Sequence, residues 1–149
     1  MSYRGSCLCG AITYTLNAEL SDFGYCHCEQ CRKASGAAFG ANAGVDRAHV
    51  DLSDPGDRLT EYASSPGKVR AFCGGCGTPL FAYLTTTPHL IRIRLGSLDS
   101  DFLKTAKAHA FVAEKADWYP IEDGLPQFDT WADPDILVQV GSRQSQKRR

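Results

Sequence analysis

Three thiols stand within six residues at Cys26, Cys28 and Cys31, a C-x-C-x-x-C array in the stretch Tyr25-Cys26-His27-Cys28-Glu29-Gln30-Cys31-Arg32. The other four cysteines form two short pairs, Cys7/Cys9 and Cys73/Cys76, the second in a C-G-G-C-G setting. Thiolate sulfur binds Zn²⁺ at about 2.3 Å; closed structural sites take four protein ligands, while catalytic sites take three and leave one position open. Seven thiols divide naturally into four plus three. The division predicts two Zn²⁺ per chain. One is sealed by Cys7, Cys9, Cys73 and Cys76, and the other is held at an open site by Cys26, Cys28 and Cys31.

Each group has rivals to this reading. Cys73/Cys76 has the spacing of a C-x-x-C redox pair, but such a pair normally opens a helix in a βαβ unit, and here it lies between two strand-like segments. The two pairs are about 65 residues apart, as two zinc knuckles on separate strand ends would be. The triplet could instead close a strained Cys26–Cys28 disulfide ring, take part in an iron–sulfur cluster by borrowing a fourth thiolate, or act as a peroxide-sensing thiol. His27, His49, His89 or His109 could fill a fourth corner and make the site merely structural. His27 is poorly placed for that, because it points away between two ligands.

The elements that must position these sulfurs are short. Residues 11–16 and 22–26 read as strands rich in β-branched and aromatic residues, and 28–34 as a helical turn with Cys28 and Cys31 on one face. Further strands are expected at 39–45, 50–52, 59–63, 68–73, 80–84, 89–95 and 108–112. Along 68–73, Lys68, Arg70 and Phe72 oppose Val69, Ala71 and Cys73; along 89–95, Arg92 and Arg94 oppose Ile91, Ile93 and Leu95. Turns fall at Asp54-Pro55-Gly56-Asp57 and Ser64-Ser65-Pro66-Gly67. Nothing after Trp118 is strongly periodic. Many short strands with turn signals between them indicate a mainly β fold.

The 149 residues predict a single zinc-binding domain over 1–140, followed by a disordered basic tail at 141–149. No apolar run approaches the roughly 20 residues that span a bilayer, and the first six residues lack a signal-peptide core. A cytoplasmic, reducing setting is therefore expected, where clustered cysteines favour metal or redox roles over disulfides. All 17 acidic residues precede position 136, whereas Arg143, Lys147, Arg148 and Arg149 lie in the last seven, so residues 1–140 carry a formal charge of −5. Nucleic-acid binding needs a concentrated basic patch, and the folded part shows none in sequence. No nucleic-acid or membrane partner is expected, and nothing sets the oligomeric state.

Three stretches, in order, resemble the glutathione-dependent formaldehyde-activating enzymes, a family that includes centromere-protein-V-like domains. They are Gly5-Ser6-Cys7-Leu8-Cys9-Gly10, Cys26-His27-Cys28-Glu29-Gln30-Cys31-Arg32-Lys33-Ala34-Ser35-Gly36 and Phe72-Cys73-Gly74-Gly75-Cys76-Gly77-Thr78-Pro79-Leu80-Phe81. The resemblance continues through Leu95-Gly96-Ser97-Leu98-Asp99, Ala108-His109-Ala110-Phe111-Val112 and Trp118 to Asp123-Gly124-Leu125-Pro126-Gln127-Phe128, covering roughly residues 4–131. It implies a β-tent of several short antiparallel sheets and two zincs on the same two cysteine sets. It also implies a carbon–sulfur lyase activity, the addition of glutathione to formaldehyde.

A carbon–sulfur bond forms when a thiolate attacks a carbonyl carbon, and coordination to zinc removes the thiol proton at neutral pH. Cys26, Cys28 and Cys31 are thus the expected catalytic centre, with a small thiol and a small aldehyde as partners. Arg32 and Lys33 are the nearest cations for a substrate carboxylate, while Arg92 and Arg94 read as distant and solvated. Arg32, Phe39, His109 and Trp118 are the candidate pocket-lining residues, His109 also as a proton shuttle. The competing classes are a non-catalytic zinc-binding interaction module, for which the basic tail offers weak polyanion contact, and a zinc-dependent thiol sensor.

Overall fold

Alternation of apolar and polar residues dominates this chain, and the computed structural model, which describes residues 2–137, is accordingly built from short strands. Strands β1 (Tyr3–Ser6), β2 (Thr13–Leu16) and β5 (Val50–Ser53) form a three-stranded antiparallel sheet in the order β1-β2-β5. A second sheet of seven strands has the order β10-β3-β4-β9-β8-β7-β6. Its members are β3 (Tyr25–Cys26), β4 (Gly40–Asp46), β6 (Leu59–Ser65), β7 (Lys68–Cys73), β8 (Pro79–Leu84), β9 (Leu90–Arg94) and β10 (His109–Ala110). One α-helix of seven residues, α1 (Glu29–Ser35), follows β3. No described helix is long and apolar enough to cross a membrane.

The expected strands are present with shifted ends. Residues 11–12 and 22–24 lie outside β2 and β3, and the strand at 108–112 shrinks to two residues because Phe111 turns into the left-handed region at φ 56°. Strand β1, which the sequence reading passed over, pairs Tyr3 to Ser6 against Leu16 to Thr13. The expected tail at 141–149 lies outside the described residues.

Register decides what each face of the large sheet carries. Ala43 pairs with Ile93, Val45 with Ile91, Phe81 with Ile93 and Ala71 with Phe81, and all of these side chains are buried in one core cluster. The same cluster takes Tyr3, Tyr14 and Leu16 from the small sheet, so both sheets share it. Successive side chains point to opposite faces, and the other face of the large sheet therefore presents Asn42, Lys68, Arg70, Arg92 and Arg94. Gly44, Arg92, Ala82 and Arg70 form one row across four strands. The two small residues leave room beside the guanidinium groups.

Candidate metal centres and active site

The turn that follows β1 and the knuckle that follows β7 bring the first cysteine set together. Cys7, Cys9, Cys73 and Cys76 hold their four Sγ atoms within 4.8 Å of one another. Cys7 and Cys9 Sγ are 3.6 Å apart, and Cys9 and Cys73 Sγ 3.9 Å. Four sulfurs at 2.3 Å from one tetrahedral ion would be about 3.8 Å apart, so the donor set fits a four-coordinate ion. Backbone and hydroxyl groups already turn towards these sulfurs. Ile12 N–H donates to Cys7 Sγ at 3.3 Å. Thr78 is the largest cause that brings the Cys76 thiol down to about 5, first through its hydroxyl and then through its backbone N–H. Leu8 N–H also donates to Thr78 Oγ1 at 2.9 Å, which ties the two knuckles directly.

The second set is built around the start of α1. Cys26 ends β3 and Cys28 is the helix N-cap, its Sγ accepting from Cys31 N–H at 3.3 Å. One turn on, Cys31 sits on the same helical face. Gly36, in the left-handed conformation at φ 66°, closes the helix by donating its N–H to Arg32 O. The three Sγ atoms lie within 4.8 Å of one another, and among the described residues no histidine or carboxylate joins them. His49 and His89 are exposed and His27 is bonded elsewhere, so the fourth corner is not taken by any of the histidines that could have filled it.

Sulfurs this close cannot all ionise without a cation among them. Hydrogen bonds from Cys26 and Cys28 draw Cys31 down to about 2, with Arg70 and Arg94 adding to them against burial, while bonding to Cys28 and Cys31 pushes Cys26 far up. A divalent ion would satisfy all three at once. Soft sulfur donors select zinc among the divalent metals available to such a site, so the residues fit the expected ion.

The tripod opens onto a cleft of about 540 Å³. The outer face of the large sheet supplies one wall with Asn42, Lys68, Arg70 and Arg92. Aromatic side chains supply another, chiefly Tyr25, Phe111 and Trp131, the last two in an edge-to-face pair with centroids 5.0 Å apart. The left-handed φ of Phe111 places this bulky residue in strained backbone beside the cleft, as is common at functional sites. Crowded positive charge marks the cationic wall: burial first, then Arg92 and Arg70, lowers Lys68 to about 8. Arg94, 6% exposed, donates from Nη1 to Asn42 Oδ1 at 2.7 Å; burial lowers its pKa most, and its hydrogen bond to Cys31 works in the opposite direction. Gly40 permits this approach, since a Cβ there would stand 2.8 Å from Arg94 Nη1 and 3.3 Å from Cys31 Cβ.

The four expected lining residues are not on this cleft wall. Arg32 leaves α1 away from it, with Nε buried and unpartnered. Phe39 packs behind the tripod against Tyr25, ring centroids 4.1 Å apart. Trp118 is 70% exposed, and His109 is fully buried, hydrogen-bonded to His27 and Asp123 instead of lining the cleft. Lys33 makes an exposed pair with Glu29 at 3.2 Å. The cations that matter lie on β7 and β9. Arg92 faces the cleft and Arg94 is buried beside Cys31, contrary to their reading as solvated charges. Lys68 and Arg70 join them, on the face of β7 opposite Val69 and Ala71. What sequence could not show is which face of β7 the tripod approaches.

Comparisons with known proteins place the chain among relatives. An uncharacterized lyase of Schizosaccharomyces pombe is 38% identical over 82 residues, which is 54% of this chain and 58% of that protein's length. A Rhodobacter sphaeroides protein of known crystal structure superposes with a TM-score of 0.55 at 20% identity, over 67% of this chain and 91% of that one; at this identity the likeness concerns the fold alone. The sequence model of the glutathione-dependent formaldehyde-activating enzymes matches residues 2–114, a span that holds both cysteine clusters and most of the cleft wall, and the chain therefore belongs to that family.

Proposed function

We propose that this protein is a zinc-dependent carbon–sulfur lyase that joins a thiol, glutathione or one like it, to formaldehyde or a related small aldehyde. The observation that carries the reading is the placement of three cysteine sulfurs on a cleft whose wall holds Lys68, Arg70 and Arg92. In the reaction the thiol sulfur forms a bond to the carbonyl carbon, the carbonyl π bond opens, and the thiol proton ends on the new hydroxyl. Bound at Cys26, Cys28 and Cys31, zinc would lower the pKa of the incoming thiol and hold its sulfur at the floor of the cleft. The chain's own residues supply the rest. Arg70 and Arg94 offset the negative charge of the sulfurs, Lys68, Arg70 and Arg92 face the substrate carboxylates, and Tyr25, Phe111 and Trp131 keep water from the aromatic side. Cys7, Cys9, Cys73 and Cys76 would hold the second zinc as a structural ion.

The direct test follows S-hydroxymethylglutathione formation from formaldehyde and glutathione, with the uncatalysed rate as reference. Turnover above background supports the reading, and a rate equal to background rejects it. Lys68→Gln is expected to raise KM for glutathione about tenfold, ~1.4 kcal/mol, within the range for one charge-assisted hydrogen bond. The same variant should leave 2-mercaptoethanol, which has no carboxylate, unaffected. Equal changes for both thiols would remove Lys68 from carboxylate recognition.

A further inference from the structure

Behind the tripod two buried histidines and an exposed aspartate form a chain of titratable groups that the reaction does not use. His27 and His109 are both 0% exposed. His27 Nε2 is 2.8 Å from His109 Nδ1, and His109 Nε2 is 2.8 Å from Asp123 Oδ2. An ionised carboxylate can only accept hydrogen bonds, so His109 Nε2 donates to Asp123. With neutral rings, His109 Nδ1 is then bare and accepts from His27 Nε2–H, and the carboxylate assigns both tautomers. His27 Nδ1 is left buried with no partner. An apolar ring at position 27 would avoid that unpaired atom, so packing alone does not account for this histidine.

The chain of bonds crosses three segments. Leu125 N–H donates to Asp123 Oδ1 at 3.0 Å and fixes the carboxylate in a turn. His109 N–H donates to Pro126 O and Phe128 N–H to His109 O, both at 2.9 Å. Strand β10 pairs in parallel with β3, and His27 N–H donates to Ala110 O at 2.9 Å, where the described pairing of these two strands ends. Phe39, Tyr25 and Tyr119 close around the two imidazoles. His27 is the single residue between Cys26 and Cys28. Along extended backbone its side chain points opposite to theirs, so anchoring its ring holds in place the backbone from which both sulfurs project.

We propose that Asp123, His109 and His27 form a positioning relay that steadies Cys26 and Cys28 from behind, making the tripod's hold on a metal ion depend on an exposed carboxylate two hydrogen bonds away. This rests on the tripod being a metal site, but not on the reaction carried out there. Groups that orient ligands from outside the coordination shell commonly change metal affinity 10–100-fold.

The test loads the full-length protein with zinc or cobalt and measures release from each site to a chromophoric chelator, with thiolate-to-cobalt charge-transfer bands as the spectroscopic signature. The four-cysteine cluster serves as the internal reference. Asp123→Ala is expected to speed release from the tripod about tenfold and to shift its cobalt bands, with release from the reference cluster unchanged. Asp123→Asn keeps the shape but its amide can donate as well as accept, so it no longer assigns the tautomers and should also speed tripod release relative to wild type. His27→Phe fills the space without the hydrogen bond and should behave as Asp123→Ala. Unchanged tripod release in Asp123→Ala, or parallel acceleration at both sites, overturns the relay. A wild-type chain that binds metal at the four-cysteine cluster alone instead overturns the tripod as a metal site, and the relay with it.

Discussion

Cys76→Ser is expected to yield protein that is insoluble or depleted in zinc. Cys73 and Cys76 lie on the knuckle between β7 and β8, and Cys7 and Cys9 follow β1 in the other sheet. Their sulfurs meet at 3.6 to 3.9 Å for the measured pairs. A structural zinc ion contributes about 10–16 kcal/mol in small domains, against a total stability of about 5–15 kcal/mol for a typical chain. Serine removes one of four ligands and leaves three thiols crowded without their ion. Metal analysis and thermal unfolding of the purified variant decide the matter. Soluble Cys76→Ser with the zinc content and melting temperature of wild type would remove the structural assignment.

Cys28→Ser should have the opposite profile, losing activity while keeping the fold. Serine is among the best helix N-caps, so the contact that Cys28 makes with Cys31 N–H survives in α1. The tripod loses one sulfur of three, and metal content should fall from two ions per chain to one. Adduct formation should drop at least about 100-fold, at or beyond what loss of a supporting group costs a metal site, while the melting temperature changes by only a few degrees. The comparison is made at equal protein concentration with the background rate subtracted. Equal rates for variant and wild type would take the chemistry away from these sulfurs.

The contrast between the two variants follows from how differently the clusters are embedded. The four-cysteine set joins turns of two sheets, and Cys7 and Cys73 are buried. Cys26 and Cys28 stand at the end of a two-residue strand and the start of a seven-residue helix, facing a cleft. An ion at the first site would tie two sheets together. An ion at the second would touch only one strand end and one helix start, with arginines close enough to share its charge.

Local chemistry makes much of this legible in the sequence. The alternation in Lys68–Cys73 marked β7 at its observed ends, and cysteine spacing alone separated the two clusters that the fold assembles. Other features were hidden for particular reasons. In β1 a glycine interrupts the pattern, and the strand is fixed by pairing with β2 rather than by its own propensity. Strand β10 is two residues long and parallel to a segment more than 80 positions earlier, a pairing that leaves no local trace. Arg32 and Lys33 attracted attention because they follow Cys31 in the chain, yet a helix turns consecutive residues about 100° apart, and neither reaches the cleft wall. His109, expected on the pocket wall and as a proton shuttle, is instead buried against His27 and Asp123, a placement set by tertiary packing.

By itself the sequence determined the two cysteine sets, because clustering by short spacing depends on local order alone, and it determined the family and the preponderance of strands, which rest on local pattern. Tertiary structure alone decided which charges meet the tripod. Register places Arg70, Ala82 and Arg92 in one row along the consecutive strands β7, β8 and β9, and that row meets the tripod only because β4 pairs with β9, Asn42 opposite Arg94 across half a hundred intervening positions. The same holds for the relay behind the tripod: Asp123, His109 and His27 are separated by up to 96 positions, and hydrogen bonds of 2.8 Å exist only once three backbone segments have packed.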